Sequence, residues 1–377
     1  MNYELGEEQE LLRKTVREFA ETRVAPLAEE LDRESRFPYD LVAEMGELGL
    51  MGIPVPEEYG GAGADTISYA LAIEELARID SSIAITVAAH TSLGTMPIAL
   101  YGSEEQKQEW LPRLASGQGL AAFGLTEPEA GSDAGATKTR GELRDGSWIV
   151  NGSKMFITNA GTDISACVTI VALTGEHEVS NIIVPNGVPG YALSPPLRKL
   201  GWRASDTREL VFEDCAVPEG NLLGARGRGF QQFLEILDGG RISVAAMGVG
   251  LAQGAYDLAF AYAKERQQFG RPIARFQAVQ FALADMATEI EAGRQLVYRA
   301  AWLKDEGKPY ALAAAQAKLY TGLLSNRVAN AALQIHGGYG FMEETAISRL
   351  FRDQKILEIG EGTNEVQRMV IARLLGV

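Results

Sequence analysis

Apolar positions in the first 118 residues recur at helical spacing. Leu5, Leu11, Leu12, Val16, Phe19 and Val24 fall at three- and four-residue steps, with Glu and Lys in the gaps. Ser103 with Gln106 forms a capping-box pattern before KQEWLPRLAS, and Pro38 suits the first helical position of FPYDLVAEMGELGL. Four to six helices are expected here. From 119 to 225 the pattern changes to short β-rich runs (WIV, ACVTIVALT, NIIVP, ELVFED) separated by the turn pairs Asp145-Gly146 and Asn151-Gly152. Long helical patterns then return over 229–267, 275–306, 309–336, 344–351 and 364–375. The short links FGRPIARF and DEGKPY make the long ones antiparallel neighbours. The expected fold is therefore mainly α with an inserted β domain: an N-terminal helical domain (1–118), a middle β-barrel-like domain (119–225) and a C-terminal four-helix bundle (226–377).

A length of 377 residues agrees with two or three domains. The net charge of −15 is spread along the chain, and no cluster of Lys and Arg interleaves with aromatics, so a phosphate backbone would be repelled. Cys167 and Cys215 lie far apart, as do His90, His177 and His336, which gives no disulfide framework and no metal-ligand spacing. The start, MNYELGEEQELLRK, is too acidic for a secretory or transit peptide, so a cytoplasmic location is expected. Two apolar windows, 83–100 and 244–263, contain His90 and Pro97, and Gln253 and Asp257, respectively. They are read as buried helices and not as membrane spans.

Several short stretches are candidates for chemistry. GVGLAQG (248–254) looks like a dinucleotide fingerprint, but no strand precedes it and it lies inside a long helical pattern, so close helix packing explains its glycines. No GxxxxGK[ST] motif is present. GLTEPEAGSD (124–133) fits either a polar surface loop or a nest of amides and hydroxyls facing an anion or a polar ring edge. KMFITN (154–159) places Phe156 and Thr158 on one strand face, where a ring and a hydroxyl could flank a flat cofactor. QIHGGYGF (334–341) ends a helix with more glycine than a cap needs. Finally, KILEIGEGTNEVQ (355–367) sets Glu361 between Gly360 and Gly362, with Asn364 and Gln367 expected to cap the next helix.

Five blocks in order, GLTEPEAGSDAGA (124–136), LGWRASDTRELVFEDCAVPEGNLLG (200–224), AKERQQFGRPIARFQAVQ (263–280), QIHGGYGFMEETAISRLFRD (334–353) and EGTNEVQ (361–367), resemble the acyl-CoA dehydrogenase family over essentially the whole chain. The short-chain, butyryl-like branch is the nearest in these blocks. The resemblance implies FAD held between the β domain and the bundle, a homotetramer, and electrons passed to an electron-transferring flavoprotein. It implies flavin contacts at Phe123, Leu125, Thr126 and Ser132, with Phe156 and Thr158 beside the ring; Phe156 departs from the tryptophan often found there. Arg266, Phe269, Gln277, Gln334 and Gly338 match positions on the FAD diphosphate and adenosine, largely from a neighbouring subunit, and Thr363 and Glu365 complete that site. Ser132, Asp238, Arg241 and Gly362 match substrate contacts. Glu361 matches the base that removes a Cα proton from an acyl-CoA thioester, giving a trans-2-enoyl-CoA. Gly240 falls where the isovaleryl and long-chain types carry their base. The alternatives are a branched short-chain dehydrogenase, an acyl-CoA oxidase, and a non-catalytic binding protein on the same scaffold, such as the family's DNA-associated branch.

Overall fold

A computed structural model describes residues 5–377; residues 1–4, the first of the acidic N-terminal stretch, lie outside the described residues. The N-terminal third is helical. α1 (Glu7–Phe19) runs through a π-turn into α2 (Ala25–Glu34), followed by α3 (Tyr39–Glu47) and α4 (Thr66–Ile79). α5 (Ser81–Ala88) runs through a second π-turn (Ala89–Thr95) into α6 (Met96–Tyr101), and α7 (Glu104–Ala115) closes the region. Counting helices joined by π-turns as one, these are five continuous rods, within the expected number. Ser103 and Gln106 cap α7 reciprocally at 3.0 and 3.3 Å. Pro38 stands one residue outside α3, as its N-cap.

The middle region is β1 (Leu120–Gly124), β2 (Arg140–Arg144), β3 (Ser147–Thr158), β4 (Ser165–Gly175), β5 (Glu178–Pro185), β6 (Tyr191–Leu193), β7 (Thr207–Pro218) and β8 (Leu222–Leu223). The sheet runs β6-β7-β3-β2-β4-β5-β8, with β1 parallel to β4. A single register pair, Arg140 with Leu173, joins the β2 and β4 halves, so the sheet closes over its own core in a barrel-like way. That core holds Trp148, Val150, Phe212 and Val217 from one half against Val168, Ile170, Ile182 and Val184 from the other. Asp145 and Gly146, with φ of 48° and 74°, make the tight turn between β2 and β3. Asn151-Gly152 is not a turn. It forms a bulge within β3, where Gly152 has φ 144° and a Cβ would press on Thr139.

The C-terminal region consists of α8 (Gly229–Glu265), α9 (Gln277–Asp305), α10 (Ala311–His336), α11 (Ala346–Asp353) and α12 (Asn364–Leu375). α10 packs on α8, α9 and α12, and α8 also packs on α4, so one apolar core runs from Val16 to Leu357 across both helical regions. The GVGLAQG glycines serve this contact: a Cβ at Gly250 or Gly254 would overlap the backbone of α4 at Glu74 or Arg78. Both apolar windows lie in helices long enough to cross a membrane, and both are mostly buried inside the fold.

Candidate active site

A short 3₁₀ turn (Gln354–Glu358) leads from α11 into the Glu361 loop, and α12 leads out of it. Gly360 N donates to Ile356 O at 2.7 Å, and Thr363 caps α12 by accepting from Val366 N at 3.2 Å. The cap is therefore Thr363 and not Asn364, which is the first residue of the helix. Gln367 is buried under the loop, where its Nε2 donates to Glu361 O at 3.2 Å and Gly362 O at 3.1 Å. The expected role of the two glycines also changes. The left-handed residues are Glu361 itself (φ 51°) and Gly362 (φ 88°), while Gly360 has no positive φ. A left-handed φ on a long side chain is strained, and it persists here because two side chains hold the carbonyls that follow.

The strained turn drives the carboxylate into the protein. Both Glu361 oxygens are buried, and neither has a hydrogen-bond partner among the described residues. Burial pushes the carboxyl up to about 7, against the opposing positive charges of Lys318 and Arg241. Arg241 is itself buried on α8 and pairs with Asp238. Asp238 lies within α8, and burial raises its carboxyl despite the pairing. Room for the carboxylate comes from Gly240: a Cβ there would overlap Glu361 Oε2 and lie 3.2 Å from Leu93 Cδ2. Leu93 continues an apolar wall of Phe123, Leu125, Phe233, Ile236 and Leu237, drawn from all three regions.

A second feature is a platform at the end of the β domain. Met155 N donates to Thr126 O at 2.8 Å, which lays the 124–126 segment beside the end of β3. Thr126 thus lies beside Met155, the residue before Phe156, while Phe123 and Leu125 join the apolar wall. Phe156 sits in a bulge with φ 64° and is 66% exposed, although its neighbour Ile157 is buried in the core. An outward aromatic ring held in a strained conformation beside a half-buried hydroxyl suits the face of a flat heterocycle. Ser132 is exposed on the loop that follows. Beneath the platform lies a pair that sequence reasoning missed. Lys154, fully buried, donates to Glu127 at 2.7 Å, Leu125 O at 3.2 Å and Thr137 Oγ1 at 3.2 Å. Glu127 also accepts from Thr137 Oγ1 and from the amides of Lys138 and Thr139. Burial pushes the Glu127 carboxyl up, but Lys154 and these donors outweigh it and hold it at about 2; burial brings Lys154 down to about 8. The only sequence signal was that both charges stand inside the two stretches already singled out.

The remaining candidates lie elsewhere. Arg266 and Gly338 line one groove of about 600 Å³ with Tyr262, His336 and Tyr339. Arg266 stacks over Tyr339 at 5.5 Å, and a Cβ at Gly338 would meet nothing, so the backbone is open to a ligand. Gln334, at the end of α10, and Gln277, at the start of α9, are exposed. Phe269 stands at the tip of the link between α8 and α9, 92% exposed with φ 53°. Glu365 is exposed on α12 and pairs with Arg368 at 3.3 Å. The groove does not include Glu361, and the other four of these six residues are exposed in the single chain. Lys318, fully buried on α10 with Nζ 2.7 Å from Gly362 O, is a further site residue that sequence reasoning missed. Its signal was a lone charge in the run ALAAAQAKLY.

Comparison with known proteins places this geometry in a family. Family models for the N-terminal, middle and C-terminal domains of acyl-CoA dehydrogenase match residues 6–118, 122–215 and 227–376. The chain is 52% identical to the probable acyl-CoA dehydrogenase YngJ of Bacillus subtilis over 100% of both chains. Among solved structures, it superposes with a TM-score of 0.97 and 43% identity on butyryl-CoA dehydrogenase from Megasphaera elsdenii, covering 100% of both chains. It superposes with a TM-score of 0.98 and 47% identity on a chain from the structure of the electron-transferring flavoprotein of Acidaminococcus fermentans, again covering 100% of both. The chain belongs to the acyl-CoA dehydrogenase family.

Proposed function

We propose that this FAD enzyme dehydrogenates a short, straight-chain acyl-CoA thioester between Cα and Cβ, with Glu361 as the base. The observation that carries the reading is the buried Glu361 carboxylate, which no hydrogen bond among the described residues occupies and which is raised to about 7. A carboxylate with an ordinary pKa near 4.3 is a weak base toward a carbon acid, so burial raises its basicity toward the task. FAD, when bound, supplies the acceptor for the hydride that leaves Cβ. The work of the chain's own residues is to place the thioester and take the proton. Glu361 Oε receives the Cα proton, and the bond pair left behind delocalises onto the thioester oxygen. The Glu361 amide, which donates to no backbone carbonyl among the described residues, is available to that oxygen. The Leu93, Phe123 and Phe233 wall excludes water beside the carboxylate and suits an apolar acyl chain.

Phe156 and Thr158 would lie against the flavin ring, with Leu125, Thr126 and Ser132 at its rim. Arg266 and Gly338 would take the diphosphate end, since the planar guanidinium suits a diphosphate. Phe269, Gln277, Gln334 and Glu365 face outward in the single chain, which supports a site completed by a second subunit of a homotetramer. Arg241 and Asp238 would contact the CoA side of the substrate, and Gly362 the thioester. The likeness to the Acidaminococcus chain supports an electron-transferring flavoprotein as acceptor, and the bacterial relatives support a cytoplasmic location.

The test is Glu361→Gln in the holoenzyme, titrated anaerobically with butyryl-, octanoyl- and isobutyryl-CoA while the oxidised flavin band is followed. The variant is expected to stay yellow and unbleached, with wild type bleached most readily by butyryl-CoA. Bleaching of the variant at a near-normal rate would remove Glu361 from the role of base.

A further inference from the structure

Lys318 takes no part in the chemistry above, yet it lies fully buried in the alanine-rich middle of α10. An isolated buried ammonium is costly, so something must hold it there. Among the described residues its one hydrogen-bond acceptor is Gly362 O, at 2.7 Å, and Gln367 reaches the same carbonyl from α12. The turn that forces Glu361 inward is therefore clamped from two helices. Lys318 forms no ion pair with the Glu361 carboxylate, but with its Nζ held at the next residue's carbonyl its charge acts on that carboxylate. Of the groups around it, Glu361 favours its charged form most, ahead of Glu358 in the preceding 3₁₀ turn and Glu365 on α12, while Arg241 on α8 opposes it. Burial nevertheless brings the ammonium down to about 8. Around Glu361 itself stand Lys318 from α10, Arg241 with its partner Asp238 from α8, and Tyr69 from α4.

We propose that Lys318 is the positioning residue of this site: it fixes the Glu361 turn through the Gly362 carbonyl, and its charge acts on the carboxylate that must serve as an anion. The proposal rests on Glu361 being the base. It separates two contributions, a hydrogen bond that any donor of suitable reach can replace and a positive charge that only a cation can.

The experiment compares holoenzymes carrying Lys318→Arg, Lys318→Gln and Lys318→Met with wild type, after flavin content and melting temperature establish that each is folded. The pH dependence of anaerobic flavin reduction by butyryl-CoA is then recorded. Removing the cation raises the carboxyl further, so the acid limb of the Gln and Met variants moves up by about one pH unit, the lower end expected for a lost opposite charge. The Arg variant keeps the wild-type limb. Met is expected to lose roughly tenfold or more in limiting rate with KM little changed, and Gln to recover part of that loss. Rate losses with identical acid limbs in Arg and Gln would overturn the proposal and leave Lys318 as a packing residue; that pair decides the question even if Met does not fold. Glu361→Gln run in parallel keeps the two readings apart. If it turns over, the base assignment falls; if it is dead and the Lys318 limbs coincide, only the role of Lys318 falls.

Discussion

At the scale of single residues, the Glu361 turn separates its two glycines. Gly360 has no positive φ, and a Cβ there would lie 3.4 Å from Ile356 O, an ordinary contact. Gly362 combines φ 88° with a Cβ position 2.8 Å from Gln367 Nε2. Gly360→Ala should therefore keep wild-type kcat within about twofold, whereas Gly362→Ala should lose tenfold or more, since about 1.4 kcal/mol of misplacement is enough for that. Steady-state kinetics on the two variants checks this. The buried carboxylate also has a cost in stability. The unfolded Glu361 titrates near 4.3 and the folded one at about 7, so its favourable contribution is complete below about 4 and lost as pH rises through 7. Glu361→Gln is thus expected to melt above wild type at pH 8, by an amount corresponding to roughly 2–3 kcal/mol, and to converge with it towards pH 5. Melting curves across that range would show the reverse if Glu361 were stabilised as an anion.

At the scale of elements, periodicity located what packing alone decides. The order of helices, β runs and long helices, and the Ser103 cap, were legible because each depends on neighbours three or four residues away. The Asn151-Gly152 bulge was not, since that pair reads as a turn until β7 is seen to carry the strand past it. Nor was the Lys154–Glu127 pair, whose partners are 27 positions apart and meet only when the 124–139 loop folds back on β3. Glu361 stood out through its glycines, but what surrounds its carboxylate comes from Lys318, Arg241 and Gly240 on other helices, which no local pattern connects to it. The buried pair carries a prediction of its own. Lys154→Met leaves Glu127 without its cation and releases Leu125 O, so the fold should lose on the order of 3–5 kcal/mol. The surviving protein should also release flavin more readily, measured as cofactor lost on dilution. Full flavin retention in a destabilised variant would confine Lys154 to a structural role.

At the scale of the whole molecule, three regions meet at a buried acid pair. Asp353 of α11 accepts from Trp202 N at 2.8 Å and from Ser81 Oγ at 2.9 Å, and Asp80 caps α5 while facing Arg349 at 3.3 Å. Burial raises both carboxyls, and Asp80 raises Asp353 further, to about 7, while Arg349 opposes both shifts. Arg349→Met should therefore cost about 3–5 kcal/mol at pH 8, where the acids lose the charge that opposes them, and less near pH 5, where protonation of the raised carboxyls relieves them. Denaturant midpoints at the two pH values measure the difference.

The core shared by the two helical regions also has a history in time. α4 and α5 pack on each other, and α4 on α1, but much of their apolar surface is buried against α8, which follows the whole β domain in the chain, whereas the β domain closes on its own core. During synthesis the first helices emerge with the faces that meet α8 uncovered, the β domain can condense next, and the long-range core forms last. An interval thus exists in which apolar helices wait for partners not yet made, and the growing chain is most exposed to aggregation then, before any of the Glu361 loop exists.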